Sequence, residues 1–260
     1  VLIINIIHEI NYISSNINDN LNVLTHKQIK NVSNYVSEVS NSNRNKIRQL
    51  NDDNDSFKKI RIFIDKTYIS NNYENSATLN KIIASIEKCT KSIEEIIKVK
   101  RLEKIFFTDS EINKLGFNNN EIDPNLLQSG EGVFADLVIF PKFVDFQSSS
   151  LLAIGKPEIF DSITNRPIGA ILSINKYIPS ISNSQSYFES VIIHQLTHIL
   201  GFMYDLFDKF TIGFSNVIKT DIETRTNKIK KFIISPKVVA YAKKYFNCEN
   251  MTGVELEDKG

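Results

Sequence analysis

A helix with two different faces is written between Ser186 and Gly201, in the string SYFESVIIHQLTHILGF. Ser186 and Glu189 stand at the spacing of a capping box, and Gly201 is placed where a helix ends. At about 100° per residue, Phe188, Ile192, Ile193, Leu196, Ile199 and Leu200 gather on one broad face. That stripe requires a core layer beneath it. His194 and His198 fall almost opposite, among Tyr187, Ser190, Val191, Thr197 and Gly201, and point toward whatever lies on the other side. A helix of this kind belongs in a layered fold, with something to do on the face away from the core.

The rest of the chain supplies the layers. KKIRIFIDKTYI (58–69), RLEKIFF (101–107), ADLVIFPKFV (135–144) and IGAILSIN (168–175) read as strands rich in β-branched and aromatic residues. SATLNKIIASIEKCTKSIEEIIKVK predicts an amphipathic helix opening after Ser76, with Leu79, Ile82, Ile83, Ile86, Cys89, Ile93 and Ile96 on its stripe. Gly- and Pro-bearing stretches at 130–132, 155–157 and 165–167 predict loops. After Gly201 the pattern loosens as an insertion would, until Pro236, preceded by Ser235 as cap, opens a short last helix. Strands and helices in this mixture predict an α+β fold. Residues 1–56, polar and Asn/Ser-rich, read as a leader that precedes the compact part.

A length of 260 residues with 42% hydrophobic content is enough for a substantial core. With 31 basic and 30 acidic side chains the net charge is +1. No global field exists to draw in nucleic acid, so nucleic acid is not expected as a partner. The basic run NKIKKF (227–232) lacks aromatic interleaving and reads as a solvated face. Two cysteines, Cys89 and Cys248, permit one disulfide and exclude a disulfide-dense scaffold. Cys89 lies on an apolar stripe and is expected to be buried. No apolar run reaches the ~18 residues of a transmembrane helix, so any membrane attachment is expected outside this chain. Sequons occur at Asn31, Asn54 and Asn250, as an Asn-rich chain makes them.

Residues four apart on a helix bring their β-carbons to roughly 5–6 Å, which lets two imidazoles share one metal ion. Two ordinary core histidines give the same spacing. A catalytic zinc takes three protein ligands, so a lone helix supplies only part of a site. Glu223, in KTDIETR, and Tyr204 or Asp205, just after the glycine, are candidates for a third, although each also reads as a solvated surface residue. His8 and His26 lie in the leader without partner spacing.

HQLTHILGF resembles the leishmanolysin-type metzincin peptidases, whose helix reads His-Glu-x-x-His-x-Leu-Gly-Phe before a long insertion and a third histidine. IRIFIDKTYI, ADLVIFPKFV and RPIGAILSIN are similar to that family's strands. SPKVVAYAKKYFNCENMTGVELED closely resembles the block before its third histidine, and IIHEI resembles the start of its prosegment. The resemblance implies a metzincin-like α+β zinc peptidase domain, with a twisted sheet and an active-site helix, made as a proprotein with a prosegment-like leader. It further implies hydrolysis of protein or peptide substrates, an extracellular or cell-surface location, Zn2+ as cofactor, and His194 and His198 as its ligands. On this reading residues 1–56 are the leader, 57–203 the subdomain with the zinc helix, and 204–260 the insertion and the start of a second subdomain.

The sequence departs from that pattern at specific places. Gln195 stands at the general-base position, where a carboxamide has no useful basicity near neutral pH. The third histidine and the methionine turn are expected beyond Gly260, so neither Met203 nor Met251 takes the latter role. The cysteine expected near LLAIGKPEIF is missing, and none precedes Cys89 to act as a prosegment switch. A peptidase impaired at Gln195 and a noncatalytic surface adhesion or binding protein on the same fold both satisfy the sequence. A secreted structural protein without metal is the remaining alternative.

Overall fold

A computed structural model describes residues 57–72, 77–147, 151–176, 185–212, 215–222 and 227–256. They form an α+β protein of two compact units that divide between Leu200 and Gly201. The leader with His8, His26, Asn31 and Asn54 lies outside the described residues, as does Glu223.

The first unit opens with β1 (Lys58–Lys59) and β2 (Ile62–Ile64). The expected strand through Ile69 stops at Asp65. This buried carboxylate accepts the Thr67 N–H at 2.9 Å and the Asp123 N–H at 2.9 Å. Capturing the Thr67 amide turns the chain into a short helix, α1 (Thr67–Asn72), a local side-chain bond that competes with the strand ladder.

Helix α2 (Ala77–Ile96) follows the predicted stripe: Leu79, Ile82, Ile86, Cys89 and Ile93 are buried. Ile96 is 40% exposed, and Ile97 takes the interior place at the helix end. Next comes β3 (Lys98–Val99), antiparallel to β1. RLEKIFF does not form the expected strand. Ile105 and Phe107 make isolated bridges to Val133 and Leu127, and both are sunk completely in a core with Ile112, Leu126, Val138 and Phe140. Helix α3 (Asp109–Lys114) is fixed by a reciprocal capping box between Thr108 and Glu111.

Three strands complete the main sheet: β4 (Leu137–Val144), β5 (Ala153–Phe160) and β6 (Pro167–Asn175). The order is β2-β4-β6-β5, parallel except that β5 runs antiparallel to β6 at the edge. Pro141 is tolerated inside β4 because β2 pairs only with Leu137 to Ile139, which leaves nothing on that side to receive its missing N–H. The stretch 155–157 corrects the expectation of a loop there: it lies inside β5. Buried and half-buried residues alternate along the whole strand, the period of a half-covered sheet edge.

Helix α4 (Gln185–Ile199) carries the histidines. It begins one residue before the expected cap, so Ser186 is already helical and its carbonyl accepts the Ser190 hydroxyl at 2.7 Å. Glu189 does not reach back to close a capping box. Its carboxylate instead takes Lys88 of α2 at 2.7 Å and Gln185 at 3.1 Å.

The second unit contains a 3₁₀ segment (Tyr204–Lys209), β7 (Thr211–Ile212) paired with β8 (Ser215–Asn216), and the hairpin strands β9 (Ile218–Ile222) and β10 (Ile229–Ile233). Helix α5 (Pro236–Phe246) starts with Pro236 as expected, although the Ser235 side chain makes no capping bond, and ends at Asn247 with φ 49°. β11 (Val254–Glu255) pairs with β10. Phe207, Ile218, Ile233, Val238, Ala242 and Leu256 form its core. Lys231 contradicts the reading of NKIKKF as a solvated face. It is buried, bonded to Asp208 at 2.8 Å, with its ammonium 4.3 Å from the centre of the Tyr204 ring.

Candidate active site

Two neighbours hold α4 in place. On the α2 side, Cys89 is buried and its thiol donates to the Glu189 carbonyl at 3.5 Å. Burial, and then the Glu189 carboxylate, pushes that thiol up to about 12. Both cysteines are free thiols. On the other side β5 passes so close that a Cβ at Gly155 would sit 2.4 Å from the Gln195 carbonyl oxygen and 3.0 Å from its Cβ. Glycine is needed here for close approach of strand to helix. Gly155→Ala is therefore expected to cost about 1–3 kcal/mol, the range for overpacking against backbone that must shift. A urea unfolding curve checks this, and an unchanged midpoint would contradict it.

With the helix so held, His194 and His198 face each other. Their Nε2 atoms are 3.0 Å apart, the rings meet edge to face with centroids 4.6 Å apart, and His198 is 8% exposed while His194 is half-buried. The Thr197 hydroxyl donates to the His194 carbonyl at 2.7 Å within the same turn. Two imidazole nitrogens at ~2.0–2.1 Å from one tetrahedral ion stand roughly 3.3 Å apart, so the observed pair needs only a slight opening to hold zinc. The donor set also suits that metal. The residues present thus fit two of its ligands.

Gln195 does not share the histidines' surroundings in the way its place in the motif suggests. It is 9% exposed, and its Oε1 accepts the Gly155 N–H at 2.7 Å. Its one oxygen already accepts a bond from β5, and the remaining polar atom, Nε2, can only donate. Tyr204 and Asp205 lie in the 3₁₀ segment of the second unit. Among the described residues no group of three or more His, Cys, Asp or Glu side chains converges as a metal site.

Sequence reasoning overlooked Gly155. The signal was present in the alternation of AIGKPEIF, but Gly and Pro within it also fit a loop. The same strand holds Glu158, half-buried beside Lys156 at 2.5 Å, whose carboxyl is raised above the usual carboxylate range by burial.

The family model for leishmanolysin, a peptidase family, matches residues 39–260. The chain belongs to the leishmanolysin family. The match covers the sheet, the histidine helix and the terminal block together. It makes this an α+β domain of a metalloendopeptidase family that is zinc-dependent in general and acts on protein or peptide substrates. Comparison with curated proteins gives no match. Among the described residues, no helix of this leishmanolysin-family chain is long and apolar enough to cross a membrane.

Proposed function

We propose that this chain is the helix-bearing part of a leishmanolysin-type zinc endopeptidase, with His194 and His198 as metal ligands and hydrolysis strongly impaired by Gln195 at the general-base position. The observation that carries this reading is the convergence of two imidazole Nε2 atoms to 3.0 Å on a helix inside the family-matched segment. When bound, zinc supplies a Lewis acid and a water whose pKa falls toward ~7. The chain's own residues orient the ligands. α2 and β5 fix the helix, and His194 is half-buried beside the buried His198. Gln195 cannot take a proton from a water at that place, because a carboxamide has no useful basicity near neutral pH.

The third ligand is proposed to follow Gly260, residues 1–56 to be a prosegment, 57–203 and 204–260 to be the two subdomain parts, and the protein to work outside the cell or at its surface. A second reading is a noncatalytic surface adhesion or binding protein that keeps the peptidase fold. The buried carboxamide of Gln195 favours it, because its Oε1 is bonded to β5 and it serves packing without acid–base chemistry at the metal. Zinc content with and without the two histidines tests the metal half of the proposal, and Gln195→Glu tests the catalytic half. A chain that binds zinc but stays inactive with glutamate at position 195 belongs to the second reading.

A further inference from the structure

Large apolar side chains left in water are ordinary one at a time and informative when they gather. Among the described residues the three most exposed are Phe134 at 68%, Ile163 at 65% and Phe57 at 62%. They belong to three separate stretches of the first unit, yet the topology brings them to one end of it. β2, β4 and β6 are mutually parallel and therefore begin at the same end of the sheet. Phe57 leads into β1 and β2, Phe134 comes shortly before β4, and Ile163 lies in the turn from β5 to β6. That turn is closed from within, since Asp161 accepts the Thr164 N–H at 2.8 Å and the Thr164 hydroxyl at 2.7 Å, which leaves Ile163 as its exposed tip.

The same end carries an excess of basic side chains. β1 and β3 set Lys59 opposite Lys98, and Arg101, two residues past β3, donates to the Lys59 carbonyl at 3.0 Å. Lys104 holds its ammonium 4.8 Å from the centre of the Phe134 ring, so a cation and an apolar tip stand side by side. With Lys58 and Lys100 this makes six basic residues. Against them stand four acidic ones: Glu94 and Glu95, bonded to the Ile62 N–H and to Lys59, and the exposed Glu103 and Glu131. The buried Asp136 is paired with Arg61. A local positive surface remains although the whole chain carries only +1.

We infer that this end of the sheet is a docking surface for an anionic lipid bilayer, with Phe57, Phe134 and Ile163 entering the interface and the basic side chains lying at the phosphates. A protein partner would have to offer a shaped pocket to each of three separate tips. A bilayer receives them without any, and its headgroups match the charge. Lysine stems can run along the apolar tips while their ammonium groups stay at the headgroups. Contact of this kind needs no membrane-spanning helix and no metal at the histidine pair.

Cosedimentation of the whole chain with lipid vesicles tests this. The wild type should pellet with phosphatidylcholine vesicles that carry about one-third phosphatidylserine, and much less with phosphatidylcholine alone, because each basic residue near an anionic surface adds to the affinity. Phe134→Ser combined with Ile163→Ser removes apolar area from two of the tips and is expected to weaken partition by about tenfold or more. Lys98→Gln combined with Lys100→Gln should weaken it by about the same factor, as should high salt in the wild type. All four positions are exposed, so circular dichroism should show both variants folded. A wild type that stays in the supernatant, or variants that pellet as the wild type does, overturns the docking surface. Binding lost in the lysine variant but untouched by Phe134→Ser with Ile163→Ser would rest on charge alone and overturns the insertion of the apolar tips.

Discussion

Gln195→Glu is expected to raise peptide hydrolysis by about 10²–10⁴-fold in a chain extended past Gly260, the range that a well-placed general base contributes. The substitution is nearly isosteric, so the hydrogen bond to Gly155 can persist with one carboxylate oxygen in the role of Oε1. The second oxygen then adds what the carboxamide lacks, a basic acceptor. Because neither histidine is touched, zinc content should not change, and the gain should fall in kcat more than in KM. Turnover of a fluorogenic peptide measures it. Hydrolysis that stays flat while zinc is bound would move the protein to the noncatalytic reading.

The largest loss of stability is expected from Asp136→Ala. Asp136 has no exposed surface, and its two oxygens accept the Leu102 N–H at 2.7 Å, the Arg61 N–H at 3.0 Å, Arg61 Nε at 3.0 Å and Arg61 Nη2 at 3.2 Å, with Arg166 Nη2 at 3.6 Å. Burial already lowers the Arg166 guanidinium below its ordinary value, and Asp136 is the first of the groups that oppose this. Without the carboxylate, two backbone donors and the Arg61 guanidinium lose an acceptor, and Arg166 loses its counter-ion, at the point where β2 and β4 begin. Removing one partner of a buried ion pair costs about 3–5 kcal/mol, and chemical denaturation should show a loss of that size. A loss below about 1 kcal/mol would mean that water replaces the carboxylate at little cost.

How far the fold could be read from the sequence depended on which forces were local. The α2 stripe was legible because helix periodicity decides which residues are buried, and only its last turn shifted, from Ile96 to Ile97. The strand from Lys58 was read too long because one carboxylate, Asp65, ends it through a bond to Thr67. β5 was missed because its glycine and proline are explained by neighbours far away in sequence. Gly155 makes room for α4, and Pro157 sits where no donor is needed. At the site, the spacing of His194 and His198 sufficed to bring their nitrogens together. The orientation of Gln195 was not legible, since nothing near it in the sequence says that β5 crosses the helix at that turn.

The central claim is that the helix pair binds metal, and zinc analysis tests it most directly. In a chain extended past Gly260, the account predicts about one zinc per chain, lost in both His194→Ala and His198→Ala while each variant stays folded by circular dichroism. Absence of zinc from the unsubstituted protein, or full retention of zinc by either variant, would contradict it.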